Sequence, residues 1–209
     1  MKLKMRYLNK IVFINSADIK YAPIKLNGNV HLIGNQGAGK STILRAVLFF
    51  YNANTQKLGI PTGPTNESFA DFYFPYINSR IIYEIQADSG PFCVMALKVR
   101  NRVSFRFLDG KYRKNIFMDE SGKVYSTWEQ IRKILDKNNI SYSPMINNYK
   151  KYRDIIYGNN EVARRYARYY LLQSRNYKNI PRTIQNVFLN SKLEAEFINQ
   201  TIIISMNEA

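Results

Sequence analysis

Residues 34–42 read GNQGAGKST, and this stretch decides the expected fold of the region around it. Gly34, Gly39, Lys40 and Ser41 stand in the spacing Gly-x-x-x-x-Gly-Lys-Ser, which is the full Walker A pattern. Glycines in such a loop let the backbone turn tightly, so that successive N–H groups point at one phosphate. The stretch therefore predicts a binding site for the phosphates of a nucleoside triphosphate.

The flanks of the loop agree with this prediction. Residues 29–33 (NVHLI) are apolar and β-branched and predict a strand, and residues 41–51 predict a mostly buried helix. The positive end of the helix dipole would strengthen phosphate binding. Lys40 is expected to reach the β- and γ-phosphates as a catalytic residue, and the Ser41 hydroxyl to bind Mg²⁺. The predicted nucleotide-binding residues are Gly34, Asn35, Gln36, Gly37, Ala38, Gly39, Lys40, Ser41 and Thr42.

The charge of the chain is strongly positive. Among 209 residues, 31 Lys and Arg stand against 15 Asp and Glu, which gives a formal net charge of +16. Such an excess is typical of proteins with a polyanionic partner, either nucleic acid or an anionic membrane. No apolar run approaches the ~18 residues of a membrane span. One cysteine and one histidine exclude an internal disulfide and an ordinary structural zinc site. We therefore expect a cytoplasmic protein without a membrane partner.

Alternating apolar and polar residues predict strands on either side of the loop. Residues 10–14 predict one strand, and residues 80–118 predict an antiparallel meander of three strands. The last strand of the meander should turn one face to the core and a wet, basic face to solvent. Its apolar set is Val103, Phe105 and Phe107, and its polar set is Arg102, Ser104 and Arg106.

Three further helices are expected towards the end of the chain. Capping-box patterns at residues 126–129 and 191–194 predict two helix starts, and a third helix is predicted over residues 161–172. The helix from Ser191 has no stop signal before the last residue, as would be expected of a fragment. The stripe predicted on the first helix is Trp128, Ile131 and Leu135.

A P-loop NTPase also needs an acidic residue at the end of a buried strand, to hold Mg²⁺ and polarise water. Asp119 and Glu120, in the run IFMDE, are candidates for this Walker B role. The end of a hairpin is the favoured alternative, because residues 113–115 are polar and Gly122 marks a turn. A self-contained NTPase, such as a small kinase or a nuclease-linked ATPase, would require the Walker B role of Asp119 and Glu120. The hairpin predicts a chain that cannot hydrolyse ATP efficiently alone.

A basic block over residues 149–182 combines cations with seven tyrosines. Its functional interpretation is a sequence-independent contact with the DNA backbone. The alternative is a solvated helix face, and for the tyrosines burial in the core is favoured. Arg102 and Arg106 of the meander, with Lys98 and Arg100 nearby, are a second candidate surface. The DNA-binding candidates in the block are Lys150, Lys151, Arg153, Arg164, Arg165, Arg168, Arg175 and Lys178, and Arg182 completes its cations.

Three other features are predicted to be structural. His31 and Cys93 are expected to be buried core residues. The aromatic cluster over residues 69–76 is expected to pack in the core or against loops, with a partner surface as the alternative.

The middle glycine of the loop stands at Gly37, an arrangement that resembles ABC-type ATPases. With the preceding NVHLI and the following ILRAVLFFYN, GNQGAGKST is similar to the N-terminal head segment of SMC-like ATPases. This class includes chromosomal SMC proteins, MukB-like condensins, double-strand-break repair ATPases and the SMC-like subunits of Wadjet and Lamassu defence systems. The resemblance is greatest to the bacterial defence type. It implies an α/β fold, an ABC-type P-loop ATPase head lobe with an antiparallel β subdomain over residues 1–190, and a C-terminal helix that starts a coiled coil over residues 191–209.

The resemblance also implies a split active site. In such proteins an N-terminal half brings Walker A and the Q-loop, and a C-terminal half brings the signature motif and Walker B. No LSGGQ-like signature occurs in this chain. Leu171-Leu172-Gln173-Ser174 resembles the Q-loop, which makes Gln173 the implied catalytic residue that senses Mg²⁺ and water.

The implied cofactors are ATP and Mg²⁺. The implied partners are DNA, a second SMC-like head and kleisin-type subunits. The implied activity is head closure that drives DNA clamping or loop extrusion, in antiviral defence or chromosome maintenance. A rival from the binding class is a nucleotide-gated DNA-binding module without turnover.

Overall fold

The structure is a computed structural model that describes residues 6–28, 30–52, 68–159 and 164–171. The strands in this part of the chain are β1 (Tyr7–Ser16), β2 (Ile19–Lys25), β3 (Arg80–Gln86), β4 (Phe92–Val99) and β5 (Arg102–Asp109). The helices are α1 (Lys40–Asn52), α2 (Phe69–Tyr73), α3 (Trp128–Lys137) and α4 (Tyr149–Ile156), and 3₁₀ turns occupy Lys114–Ile116 and Arg164–Tyr166. None of the described helices is long and apolar enough to cross a membrane.

The described strands form one antiparallel sheet in the order β2-β1-β3-β4-β5. A two-residue turn joins β1 to β2. Its residues Ala17 and Asp18 have φ of 50° and 63°, as a type I′ hairpin turn requires. Beyond β5, the backbone of residues 141–146 continues the hydrogen bonding, for example from the Phe105 N–H to the Ile146 carbonyl at 2.9 Å. In the described part of the chain, β2 is therefore the outer strand.

Both faces of the sheet are covered. On one face, here called the α1 face, α1 and α4 pack on the sheet and bury Phe49, Phe105 and Tyr152 completely. On the other, the α3 face, α3 and the turn at Lys114–Ile116 enclose a smaller core around Ile131. The residues of α1 and residues 114–137 therefore lie on opposite faces of the sheet.

The prediction of a wet, basic face on the meander is wrong. Ser104 is only 1% exposed, and the guanidinium carbon of Arg106 lies 3.9 Å from the centre of the Trp128 ring. This face is covered because α3 buries Ile131 and Leu135 against it. Of the polar set, Arg102 remains exposed, and the apolar set Val103, Phe105 and Phe107 is buried as predicted.

Other local predictions are confirmed. β1 contains the strand predicted at residues 10–14, β3 to β5 form the predicted meander, and α1 covers residues 41–51. α3 is also present, but its N-cap is Thr127 with Gln130 as the capping-box partner, one residue later than predicted. No pattern considered above predicts α4.

Two predicted elements are not formed in the described residues. Residues 30–33 make no strand, and Val30 and Ile33 are 42% and 92% exposed, since no described strand lies beside them. Residues 164–171 form a 3₁₀ turn and an irregular segment instead of part of a helix, because both Tyr166 and Tyr169 turn into the core. The helix predicted from residue 191 lies outside the described residues.

Among the described residues, four tyrosine hydroxyls donate hydrogen bonds to backbone carbonyls of α1. The pairs are Tyr73 to Thr42 at 2.8 Å, Tyr83 to Ala46 at 2.9 Å, Tyr152 to Phe50 at 2.7 Å and Tyr157 to Tyr51 at 2.7 Å. The first three acceptors are spaced four residues apart, so they follow one stripe of the helix. Side chains from α2, β3 and α4 thereby fix α1 along most of its length.

These buried hydroxyls predict a loss of stability in alkali. Burial raises the pKa of Tyr83 and of Tyr152 well above the ordinary tyrosine value, because a phenolate would lose its hydration there. Above the ordinary tyrosine pKa of ~10, the unfolded chain releases these protons, whereas the folded chain keeps them. Stability should therefore be unaffected by these groups below about pH 10 and should fall above it by about 1.4 kcal/mol per pH unit for each tyrosine.

Urea unfolding at pH 8 and at pH 11 measures this effect. The Tyr83→Phe variant is the matched control, since it should lose less stability between the two pH values than the native chain. Equal losses in both proteins would contradict the assignment of the alkaline effect to Tyr83.

Candidate functional site

The glycine loop lies open to solvent immediately before α1. Residues 31–38 are exposed, and the first helical residue is Lys40. Gly37 and Gly39 have φ of 84° and 78°, a left-handed conformation that costs other residues about 1–2 kcal/mol. Glycine at these two positions therefore allows the tight turn that a phosphate-binding loop needs.

Lys40 folds back over the loop. Its Nζ donates to the carbonyl oxygens of Gly34 at 2.6 Å and of Asn35 at 2.7 Å. An ammonium group has three donors, so these bonds leave one N–H and the positive charge available at the mouth of the loop. A phosphate group that entered the loop would replace or share these contacts.

The start of α1 provides further attraction for an anion. The first N–H groups of a helix have no partner within the helix and carry partial positive charge, and the first turn of α1 contains no acidic residue. Ser41 is exposed here, while the Tyr73 hydroxyl fixes the carbonyl of Thr42. The arrangement can bind an anionic group through the backbone and offers the Ser41 hydroxyl to a cation.

Asp119 lies in a turn, as the hairpin interpretation predicts. Its carboxylate accepts hydrogen bonds from the Ser121 hydroxyl at 2.6 Å and the Lys123 N–H at 2.9 Å, and Met118 pairs with Val124 across the turn. The Ser121 hydrogen bond is the main cause of a lowered Asp119 pKa. The segment before it packs on the α3 face, opposite α1. Asp119 therefore serves the turn and does not stand at the end of a central strand.

The predicted magnesium ligands are only partly described. Ser41 is placed at the loop, and Gln173 lies outside the described residues. Within residues 6–28, 30–52, 68–159 and 164–171, no group of three His, Cys, Asp or Glu side chains is arranged to hold a metal ion.

The cations of the basic block that the structure describes are exposed, except for the half-buried Arg153. Lys151 Nζ lies 5.5 Å and the Arg165 guanidinium carbon 5.0 Å from the centre of the Tyr166 ring, so α4 and the following 3₁₀ turn bring these cations together. Arg153 is half-buried, and its Nε has no hydrogen-bond partner in the described structure. Arg168 forms an ion pair with Asp109 at 2.8 Å. Lys150, Lys151, Arg164, Arg165 and Arg168 are exposed, while Arg175, Lys178 and Arg182 lie outside the described residues.

Burial is confirmed for four of the seven tyrosines in this block, while Tyr149 and Tyr170 are half-buried and Tyr177 lies outside the described residues. Tyr152 stacks on Phe105 with ring centres 4.0 Å apart, and Tyr169 stacks on Phe107 at 5.0 Å. Tyr157 and Tyr166 are also buried. Residues 149–159 and 164–171 of the block therefore form a layer of the protein with an apolar inner side and a cationic outer side.

Sequence reasoning missed α4, although two signals for it are present. Asn148 is the N-cap, and its side chain accepts from the N–H groups of Lys150 and Lys151 at 2.7 and 3.2 Å. The apolar residues follow at helical spacing, with Tyr152 and Ile156 buried one turn apart.

The remaining predicted structural residues have mixed outcomes. His31 is exposed, so its predicted burial is wrong, because the strand expected around it does not form in the described residues. Cys93 is buried as predicted, and burial raises the pKa of its thiol. In the aromatic cluster Tyr73 and Phe74 are buried, but Tyr76 is 64% exposed.

The sequence model of one protein family, described as "Protein of unknown function (DUF3584)", matches residues 18–208. The chain belongs to the DUF3584 family. This is a domain family found in SMC-like and RecF-type proteins. The range shared with the DUF3584 family includes both the glycine loop and the basic block. No curated protein matches the chain.

Proposed function

We propose that this chain binds ATP and Mg²⁺ at residues 34–42 and forms the N-terminal part of an SMC-like ATPase head of the bacterial condensin or defence type. The observation that carries the proposal is the open glycine loop before α1, with the Lys40 ammonium held over it. Membership of a family found in SMC-like and RecF-type proteins supports it. In this role Lys40 binds the β- and γ-phosphates, Ser41 binds Mg²⁺, and Gln173 senses the metal.

Hydrolysis in this proposal needs a second half of the head. The Asp119 segment packs on the α3 face and the loop precedes α1 on the other, so another segment supplies the carboxylate that polarises water. That segment is a C-terminal half with Walker B, and a second SMC-like head adds its signature motif across the γ-phosphate. The ATP cycle then closes and opens the heads to clamp DNA or extrude loops, with kleisin-type subunits as partners.

Nucleotide binding and turnover by the full chain test this proposal together. A fluorescent ATP analogue should bind in the presence of Mg²⁺, and a phosphate-release assay should detect no steady turnover. Asp119→Asn should leave binding unchanged, because the carboxylate serves a turn. Steady turnover that both Lys40→Ala and Asp119→Asn abolish would instead establish a self-contained NTPase.

A binding module without turnover is separated from this proposal by adding the second half. A C-terminal half that carries Walker B and the signature motif should restore ATP hydrolysis when mixed with the chain. Bound nucleotide without hydrolysis in that mixture would support the binding module.

DNA binding in this proposal uses the outer side of α4 and of the 3₁₀ turn after it. Lys150, Lys151 and Arg165 are exposed there, on a layer whose inner side is fixed by buried tyrosines. Cations on a rigid layer contact phosphates without reading sequence, and each contact contributes about one unit to the slope of log affinity against log salt.

Charge reversal on α4 is therefore expected to weaken DNA binding. Lys150→Glu combined with Lys151→Glu should reduce affinity for a short duplex by about tenfold or more and lower the salt slope by about two. Fluorescence anisotropy over a salt series measures both. The matched control is Lys133→Glu with Lys137→Glu, which makes the same change in net charge at exposed positions of α3. An equal loss of duplex affinity in the control would show that DNA binding depends on net charge and not on the position of these lysines.

A further inference from the structure

A second group of cations lies near the outer edge of the sheet, on the α3 face. Lys10 of β1 stands directly opposite Lys25 of β2 in the register. Two like charges in directly opposite positions of an antiparallel pair repel each other. Glu84, which is buried, lies 3.6 Å from Lys10 Nζ and offsets one of the two charges. Lys25 is exposed and forms no ion pair within the described residues.

Two tyrosines lie between these lysines and a third. The hydroxyls of Tyr21 and Tyr112 are 3.5 Å apart. Lys114 Nζ lies 5.1 Å from the centre of the Tyr21 ring, and Lys10 Nζ lies 5.9 Å from that of Tyr112. These five residues, Lys10, Tyr21, Lys25, Tyr112 and Lys114, are here called the β2-edge surface. Lys111 and Arg113, on either side of Tyr112 in the chain, are also exposed.

The core holds the β2-edge surface in place from below. Tyr112 stacks on the buried Phe117 ring at 5.6 Å with an angle of 7° between the planes. Its backbone N–H donates to the Glu84 carboxylate at 2.7 Å. The loop that carries Lys114 is therefore fixed against the sheet, and the cations need little ordering when a ligand binds.

Protection of an outer strand does not account for this arrangement. Lysines and a proline on β2, such as Lys20, Lys25 and Pro23, would suffice to prevent pairing with another strand. Tyr112 and Lys114 come from a different segment, and they bring an aromatic pair and another cation to the same place. Pro23 also lacks the N–H that an added strand would need, which disfavours a peptide strand as the partner.

We propose that the β2-edge surface is a second contact for a nucleic-acid backbone, separate from the one on α4. Exposed lysine ammonium groups suit phosphate oxygens as point charges, and tyrosine hydroxyls can donate to phosphate or sugar. α4 packs on the α1 face, while Tyr112 packs on the α3 face. The chain can therefore hold two nucleic-acid segments at once, on opposite layers of one sheet. The inference shares a nucleic-acid partner with the proposed function but assigns a different surface.

The test is a bridging assay with the full chain. One short duplex is immobilised, a second duplex carries a fluorophore, and the chain is expected to capture the second on the first. Lys25→Glu with Lys114→Glu should reduce capture by at least about fivefold and lower the salt slope by about two. Lys133→Glu with Lys137→Glu is again the control for net charge, and Lys25→Gln with Lys114→Gln is a milder variant in case the reversed pair does not fold.

The possible results separate this inference from the proposed function. Loss of capture in the β2-edge variants, with the control close to the native chain, supports the second contact. Capture that is unchanged, or reduced no more than in the control, overturns it. Binding of the ATP analogue is measured on the same variants. A result that overturns the β2-edge contact can therefore be distinguished from one that overturns the nucleotide site.

Discussion

Replacement of Lys40 by alanine should weaken binding of an ATP analogue by about ten- to a hundredfold. A hydrogen bond to a charged group contributes about 1.5–3 kcal/mol, and about 1.4 kcal/mol corresponds to a tenfold change in affinity. In the free chain the same ammonium group donates to the carbonyls of Gly34 and Asn35, and a bound phosphate would replace or share these bonds. The expected loss of affinity therefore comes from the missing contact between Nζ and the phosphate. Titration with the fluorescent analogue in Mg²⁺ measures the effect.

Lys137→Ala is the matched control, because Lys137 is exposed on α3 and the loop precedes α1 on the opposite face. It should bind the analogue as the native chain does. A thermal melt of Lys40→Ala should stay close to that of the native chain, because the loop is exposed and contributes little to the core. Affinity within twofold of the native value would exclude Lys40 from the phosphate site.

Truncation of Tyr152 should cause the largest loss of stability. Its ring is fully buried and stacks on Phe105 at 4.0 Å, and its hydroxyl donates to the Phe50 carbonyl at 2.7 Å. Loss of a buried aromatic side chain costs about 3–5 kcal/mol, so Tyr152→Ala should lower the free energy of unfolding by about that amount. Urea unfolding at neutral pH is the measurement.

The Tyr152→Phe variant separates the contribution of the hydroxyl to the free energy of unfolding from that of the ring. The Phe50 carbonyl lies in α1, and loss of one neutral hydrogen bond costs about 0.5–1.5 kcal/mol, well below the alanine value. Equal losses in the two variants would mean that the ring contributes little, against its burial. If neither variant were destabilised, the packing of α4 on α1 would have to be revised.

The sequence predicts those parts of the fold that depend on local pattern. The meander is visible because each strand alternates, and α1 is visible because a glycine loop precedes an apolar run. Local pattern does not predict that α3 packs over the α3 face of the sheet. Arg106 has the pattern of a solvent-facing residue, yet Trp128 lies against its guanidinium 22 residues later in the chain. Contacts at such distances follow from packing, and alternation within one strand carries no information about them.

The candidate site is predictable in its chemistry but less so in its completeness. The glycine spacing indicates a phosphate loop, and the left-handed φ values at Gly37 and Gly39 agree with it. The role of Asp119 depended on whether its short apolar run was a central strand or the end of a hairpin, and the run was too short to decide from periodicity. The β2-edge surface was invisible, because Tyr21 and Tyr112 are 91 residues apart.

The tyrosine contacts to α1 determine how a signal from the loop could travel. A helix held at Thr42, Ala46, Phe50 and Tyr51 by side chains of other elements cannot rotate about its axis or slide without breaking these hydrogen bonds. If nucleotide bound at the proposed site and displaced α1, these bonds would carry the sheet and α4 with the helix. The cations of α4 would then move together with α1.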